Sequence, residues 1–209
     1  MRYQHIKFPA GELHFEGVLS MPESSDSIQA TVLCHPHPLR GGNMDNHVIT
    51  AIGLGLDQIG IANLRFNFRG VGNSEGEYSD GELEYKEIIG AQNILLDNQE
   101  LSFTSISTLG YSFGSRVILK HSKVLKPCSK LVLVSPQTEA VKDSNLKELD
   151  IPVLIIAGSN DHISSMDSIE DFIGPNHDNI RLKKIQGADH FWIGHESELI
   201  ETVVEHLLD

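Results

Sequence analysis

Short strand-like segments alternate with segments of helical length along most of this chain, and this alternation restricts the fold more than any other feature. Residues 131–134 and 153–156 are apolar at every position, which is typical of strands covered on both faces. Two alternating segments near the N-terminus, residues 2–8 and 12–19, predict an antiparallel start. Further strands are predicted over 30–34, 62–68, 104–109 and 180–185, with helices over 44–59, 82–98, 113–125 and 199–208. The pattern predicts an α/β fold with a mostly parallel, doubly wound sheet.

The length and composition predict a single domain over residues 1–209. Hydrophobic residues make up 40% of the 209 positions and charged residues 22%, which is ordinary for a globular protein and too apolar for a disordered one. A chain of this length can bury a large core without disulfides or metals. No apolar run approaches the roughly 20 residues of a membrane helix, and the first residues contain none that could serve as a signal peptide.

The charge balance excludes a class of partners. Sixteen Lys and Arg stand against 29 Asp and Glu, a net charge of −13, whereas nucleic-acid binding depends on clustered cations. The two cysteines, Cys34 and Cys128, make no disulfide framework, which favours a cytoplasmic location. We therefore expect a small-molecule partner, with no nucleic acid and no membrane. The sequence is compatible with a monomer or a homodimer.

Two segments, 72–76 and 110–114, match the pattern G-x-S-x-G. This pattern places a serine on a sharp turn between a strand and a helix, with glycines where the turn leaves no room for a Cβ. Ser112 fits, because a predicted strand ends at position 109 and a predicted helix begins at 113. Ser74 lies in a long loop instead. We therefore predict that Ser112 is a nucleophile and that Ser74 is structural.

A serine hydroxyl becomes a good nucleophile when a histidine accepts its proton and a carboxylate orients that histidine. Asp161 follows the predicted strand at 153–157, and His190 follows the one at 180–185. The carboxyl ends of parallel strands meet at one edge of the sheet, where such folds bind their ligands. The sequence therefore predicts that Ser112, Asp161 and His190 form a catalytic triad.

Other residues compete for the roles of base and acid. His195 is close in sequence to the predicted base but is expected at the start of the final helix. His162 is next to the predicted acid and cannot easily face it. Asp189 adjoins the predicted base and is expected to be a solvated loop carboxylate. Glu139 and Asp143 remain the alternative acids.

An oxyanion hole needs backbone N–H donors. Phe113 follows the predicted nucleophile at a helix N-terminus and is the first expected donor. The second should come from the loop after the strand at 30–34, where Pro36 and Pro38 cannot donate because proline has no N–H. His37 is therefore the expected second donor, with Leu39 as the alternative.

Two rival classes are weaker. His35, His37, Asp45 and His47 include potential metal ligands, but prolines interleave the first pair, and neighbouring side chains on an extended loop face opposite ways. The glycines of segment 53–55 fall inside a predicted helix, which does not fit a dinucleotide-binding turn. We therefore expect neither a metal nor another cofactor.

Taken together, these motifs resemble the α/β-hydrolase superfamily, and more narrowly its small bacterial-type members of little more than 200 residues. The resemblance rests on C-H-P-H-P at 34–38 followed by two glycines at 41–42, on R-F-N-F-R-G-V-G at 65–72, and on the elbow at 110–114. It implies a fold of about eight strands and the same three catalytic residues. It also implies that Ser74 shapes its loop and is not the nucleophile.

The connection between two predicted strands bears on the substrate. Residues 135–150 are too few for a lid of several helices, so we expect an open site. The expected function is that of a serine hydrolase that cleaves a small or soluble carboxylic ester or thioester through an acyl-Ser112 intermediate. A prolyl-type serine peptidase and a non-catalytic binding protein of the same fold are the alternatives.

Overall fold

Eight strands form one sheet in the computed structural model of the chain, which describes residues 1–23, 28–98, 103–125, 128–175 and 177–209. The strands are β1 (Arg2–Ala10), β2 (Leu13–Met21), β3 (Ile28–Cys34), β4 (Ala62–Phe66), β5 (Phe103–Tyr111), β6 (Leu131–Val134), β7 (Val153–Gly158) and β8 (Ile180–Ile185). Their order in the sheet is β1-β2-β4-β3-β5-β6-β7-β8. Strand β2 is antiparallel to both of its neighbours, and the pairs from β4 to β8 are parallel. The mostly parallel sheet and its antiparallel start are thus confirmed.

Helices cover both faces of this sheet. They are α1 (His47–Gln58), α2 (Tyr85–Leu96), α3 (Phe113–His121), α4 (Thr138–Lys142), α5 (Met166–Ile173) and α6 (Glu196–Leu208). The apolar stripes of α1 and α6 belong to one buried cluster, and those of α2, α3 and α5 belong to the other. The sheet is therefore doubly wound, as predicted. Within the described ranges, no helix is long and apolar enough to cross a membrane.

The burial of β6 and β7 explains why the sequences of these two strands show no alternation. Every residue of β6 and β7 is buried. Along β6, Leu131 and Leu133 join one apolar cluster, while Val132 and Val134 join the other. Successive side chains of a strand point to opposite faces, and here both faces are covered by helices. Both strands end at the sheet edge that carries the predicted site.

Several element bounds differ from the sequence-based prediction. Helix α1 begins at His47, three residues later than predicted, because the Asn46 side chain caps it by accepting a hydrogen bond from the Val48 N–H at 3.0 Å. Strand β5 continues past position 109 to Tyr111, and β4 ends at Phe66. The short helices α4 and α5 were not predicted.

Candidate active site

The turn between β5 and α3 holds Ser112 in a conformation that side chains rarely adopt. Its backbone φ is 53° and ψ is −105°. A Cβ at Gly110 would lie 2.4 Å from the Ser115 nitrogen, and one at Gly114 would lie 2.3 Å from the Cys34 carbonyl oxygen. Both glycines of the motif are therefore required, the first by the turn itself and the second by the neighbouring strand β3.

The three predicted catalytic side chains lie in hydrogen-bonding contact. Ser112 Oγ is 3.0 Å from His190 Nε2, and His190 Nδ1 is 2.9 Å from Asp161 Oδ2. Asp161 Oδ1 also accepts hydrogen bonds from the N–H groups of Ile163 at 3.0 Å and Ser164 at 2.9 Å. The chain thus brings together residues that are 78 and 29 positions apart. In this arrangement a proton can pass from the hydroxyl to the imidazole, whose position is set by the carboxylate.

Asp161 is electrostatically suited to orient a histidine. Its side chain is fully buried, and burial alone would raise the pKa of the carboxyl group. The hydrogen bond and charge of His190, together with the N–H of Ser164, outweigh that effect and leave the pKa below its usual value. The carboxylate therefore stays ionised next to the imidazole at neutral pH.

The loop that carries His190 is tied down on more than one side. Tyr111 donates its hydroxyl hydrogen to the His190 carbonyl oxygen at 2.7 Å. His47, the first residue of α1, places its Nε2 within hydrogen-bonding distance of the Phe191 carbonyl oxygen, at 2.8 Å. Asp189 Oδ1 accepts the Phe191 N–H at 2.9 Å, so this carboxylate serves its own loop. These contacts fix the imidazole in front of the serine before a substrate arrives.

The two segments expected to supply an oxyanion hole meet beside Ser112. The rings of His37 and Phe113 are in contact, with centroids 5.3 Å apart. In the described part of the chain, the backbone N–H of His37 and that of Phe113 have no hydrogen-bond partner. A Cβ at Gly42 would lie 2.1 Å from the Pro36 carbonyl oxygen. The two ends of the loop that carries His37 are therefore packed so closely that only glycine fits at position 42. The alternative donor, Leu39, lies in a short 3-10 turn, Pro38–Arg40, with an exposed side chain.

The other candidate acids and bases lie elsewhere. His195 precedes the first residue of α6, as predicted, and its ring lies against Gly187. His162 is exposed, and so is Asp143. Glu139 is an exposed residue of α4 that pairs with Lys142 at 3.2 Å. Among the described residues, none of these side chains forms a hydrogen bond with Ser112 or His190, whose ring bonds to Ser112 and Asp161.

Ser74, in the second G-x-S-x-G segment, is buried and bonded to the backbone. Its hydroxyl donates to the Asn67 carbonyl oxygen at 2.7 Å and accepts the Glu16 N–H at 3.2 Å. These bonds join the loop after β4 to strand β2. The structural interpretation of Ser74 agrees with these contacts.

The potential metal ligands do not converge. His35 is buried, its Nε2 accepts the Phe68 N–H at 3.0 Å, and burial lowers its pKa to about 4. His37 Nε2 instead lies 3.2 Å from the Tyr78 hydroxyl. Among the described residues, no group of three or more His, Cys, Asp or Glu side chains is arranged to hold a metal ion. Segment 53–55 lies within α1, so it forms no turn after a strand.

An open cleft of about 410 Å³ gives access to Ser112 and His190. The apolar side chains of Ile163 and Phe191 and the cationic ones of Arg40 and Arg116 also line it. The connection from β6 to β7 contains only α4 and a second 3-10 turn, Leu146–Glu148. No lid is inserted there, in agreement with the prediction.

Several supporting residues were missed by reasoning from the sequence. Tyr111 could have been found, because it directly precedes the predicted nucleophile at a strand end. His47 was considered only as a metal ligand. Trp192 is fully buried behind the loop and donates from Nε1 to Ser135 Oγ at 3.0 Å. We find no signal in the sequence that would have indicated that contact.

Comparisons with known proteins agree with this architecture. An alpha/beta hydrolase domain family matches residues 29–202. An uncharacterized protein of Rickettsia prowazekii (strain Madrid E) is 31% identical over 97% of this chain and 88% of its own. An alpha-beta serine hydrolase homologue from Coxiella burnetii superposes with a TM-score of 0.86 at 28% identity, over 99% of this chain and 98% of its own. A serine hydrolase without lid from Xanthomonas campestris superposes with a TM-score of 0.84 at 22% identity, over 99% and 94% of the two chains.

Proposed function

Because the chain belongs to the alpha/beta hydrolase domain family, we propose that it is a serine hydrolase acting on a small or soluble carboxylic ester or thioester. In this proposal residues 1–209 act as a single domain, and catalysis needs no metal or other cofactor. The observation that carries the proposal is the chain of contacts from Ser112 Oγ to His190 at 3.0 Å and from His190 to Asp161 at 2.9 Å. The open cleft supports a substrate that reaches the serine directly from solution.

The first half of the proposed reaction acylates the enzyme. Ser112 Oγ attacks the carbonyl carbon of the substrate while His190 Nε2 accepts the hydroxyl proton. Asp161 stabilises the imidazolium that forms. As the tetrahedral intermediate collapses, the bond from carbon to the alcohol oxygen or thiol sulfur breaks. His190 returns its proton to that leaving group, and the acyl group stays on Ser112.

The second half releases the acid. His190 Nε2 accepts a proton from a water molecule, and the resulting hydroxide attacks the acyl carbon. The bond to Ser112 Oγ then breaks, and the serine recovers its proton from the imidazolium. The products are a carboxylic acid and the alcohol or thiol released earlier.

Negative charge develops on the carbonyl oxygen in both halves. We propose that the N–H groups of His37 and Phe113 bind it, because both lack a partner among the described residues. Preorganised donors of this kind are among the largest contributions to catalysis, at about 10² to 10³ in kcat for one donor. The positive end of the α3 dipole acts in the same direction.

Labelling with a fluorophosphonate probe tests the nucleophile. We expect the wild type and Ser74→Ala to be labelled and Ser112→Ala to be unlabelled. Ser74→Ala is the matched control, because it removes a hydroxyl from the other G-x-S-x-G segment. Labelling that persists in Ser112→Ala would refute the assignment, and an unlabelled wild type would favour a non-catalytic binding protein.

A substrate panel then tests the reaction. Matched p-nitrophenyl esters, alkyl thioesters and a prolyl p-nitroanilide should separate the three bond types. We expect hydrolysis of esters or thioesters that disappears in Ser112→Ala. Cleavage of the prolyl anilide alone would establish the peptidase instead.

A further inference from the structure

The charge of the cleft is opposite to that of the protein. The chain carries a net charge of −13, yet none of the described residues that line the cleft beside Ser112 is Asp or Glu. Two arginines, Arg40 and Arg116, line it instead. A long-range field set by the net charge disfavours anions, so this local arrangement acts only on a group already in the cleft.

The charge of Arg116 is already compensated. Its guanidinium forms an ion pair with Asp80 and lies 5.2 Å from the centre of the Phe113 ring. These contacts fix the side chain in the wall between the cleft and a second groove, which is lined by Arg116, Lys120 and Asp143. Arg116 is therefore not the free cation of the site.

Arg40 differs because its charge is not compensated. Its side chain is exposed, and its guanidinium has no hydrogen-bond or ion-pair partner in the part of the chain that the structure describes. The backbone beneath it is held firmly, since the N–H groups of Arg40 and Gly42 both donate to the His37 carbonyl oxygen at 3.0 Å. A free guanidinium thus stands three residues from a proposed oxyanion donor.

His37, Arg40 and Arg116 line the same cleft as Ser112. Burial lowers the pKa of this imidazole, and the positive charges of Arg116 and Arg40 lower it further. His37 is therefore neutral at pH 7. The permanent cations of the cleft are therefore Arg40 and Arg116. Of these two, Arg40 has no counter-charge among the described residues.

We propose that Arg40 is a specificity-determining residue that binds a carboxylate on the acyl or alcohol part of the substrate. A guanidinium matches the planar fork of a carboxylate and binds it with two parallel hydrogen bonds. The preferred substrates are then esters or thioesters that carry a negative charge beyond the scissile bond. This inference rests on the proposed hydrolase function and names the substrate class of the same site.

Two matched pairs of esters test this preference. 4-Acetoxybenzoate against its methyl ester places the charge on the alcohol side, and p-nitrophenyl hydrogen adipate against p-nitrophenyl methyl adipate places it on the acyl side. In at least one pair, we expect the anionic member to have the higher kcat/KM. In that pair Arg40→Gln should lower the ratio of kcat/KM for the anionic ester to that for the neutral ester about tenfold, mainly through the KM of the anionic ester. Added salt should weaken the preference.

Two variants control for charge alone. Lys183→Gln removes the same charge from an exposed residue of β8 that lines no part of the cleft, and it should leave both ratios unchanged. Arg40→Glu should reverse the preference and raise the ratio of kcat/KM for 4-(trimethylammonio)phenyl acetate to that for phenyl acetate above its wild-type value. Equal ratios in the wild type and Arg40→Gln, with the neutral esters still hydrolysed, would overturn the role of Arg40 and leave the proposed hydrolase intact.

Failure of the hydrolase proposal gives a different result. In that case neither member of either pair is hydrolysed and the fluorophosphonate probe labels nothing. Carboxylate binding is then measured by calorimetry with 4-acetoxybenzoate on Ser112→Ala and on Ser112→Ala/Arg40→Gln. Weaker binding in the double variant supports the role of Arg40, and equal or undetectable binding in both refutes it.

Discussion

Replacement of Gly114 by alanine tests whether the contact between α3 and β3 builds the site. The new Cβ would lie 2.3 Å from the Cys34 carbonyl oxygen and 2.9 Å from the Cys34 Cβ, both buried. Ordinary contact begins near 3.4 Å, so the strand end and the helix start must separate by about 1 Å. Neither side is a flexible side chain end. We expect a loss of about 3 kcal/mol in the free energy of unfolding, at the upper end for overpacked cores.

The same displacement should impair catalysis. It moves the His37 N–H away from the Phe113 N–H, and a misplacement of about 1 Å can cost about 100-fold in rate. Urea unfolding measures the stability, and kcat on a p-nitrophenyl ester measures the catalytic effect. Gly53→Ala is the control, because its Cβ would meet only side-chain atoms, Asn63 Oδ1 at 3.2 Å and Leu33 Cδ1 at 3.6 Å, and alanine favours the helix. A Gly114→Ala protein with the unfolding midpoint and kcat of Gly53→Ala would refute the reasoning.

Three further substitutions have defined outcomes. Asp161→Asn should lower kcat about 10³- to 10⁴-fold at nearly constant KM, because the amide cannot stabilise the His190 imidazolium. Steady-state kinetics measure this effect, and a variant that keeps the wild-type kcat would contradict the proposed role of Asp161. Burial lowers the pKa of His35 to about 4 from the 6.5 expected when it is unfolded, so acid favours the unfolded chain. Wild-type stability should therefore fall by about 3 kcal/mol from this group as pH drops from 6.5 to 4, and His35→Gln should lack that part of the loss in urea titrations. Ser74→Ala should lose about 1 to 2 kcal/mol of stability, since the Asn67 carbonyl oxygen loses its donor, while kcat stays at the wild-type value.

Strands β6 and β7 and the site edge could be predicted because their signals are local. The uninterrupted apolar runs of β6 and β7 reflect burial on both faces, which any sheet with helices on both sides imposes. The turn at 110–114 could be recognised in the sequence because it requires glycine at positions 110 and 114, where a Cβ would clash. Asp161 and His190 could be predicted because parallel strands bring their carboxyl ends to one edge.

What could not be predicted depends on contacts between distant segments or on very short elements. Helix α5 is an exception, because its buried positions Met166, Ile169 and Ile173 follow the helical spacing i, i+3 and i+7 and could have been recognised in the sequence. The exchange of β3 and β4 in the sheet follows from the packing of whole units and leaves no mark on either strand's sequence. The bond from Tyr111 to the His190 carbonyl oxygen joins residues 79 positions apart. Arg40 is exposed, and from the sequence alone it cannot be distinguished from any other surface cation.

The absence of an inserted lid determines which acceptors can take the acyl group in the proposed reaction. Residues 135–152 place only one short helix and one 3-10 turn beside the cleft, so solvent reaches Ser112 at every stage. Water and any dissolved alcohol or thiol could then reach an acyl group on that serine equally well. Their concentrations and nucleophilicities then set the ratio of hydrolysis to transacylation. In the proposed reaction, hydrolysis therefore dominates in dilute solution, and acyl transfer competes with it only where another acceptor is abundant.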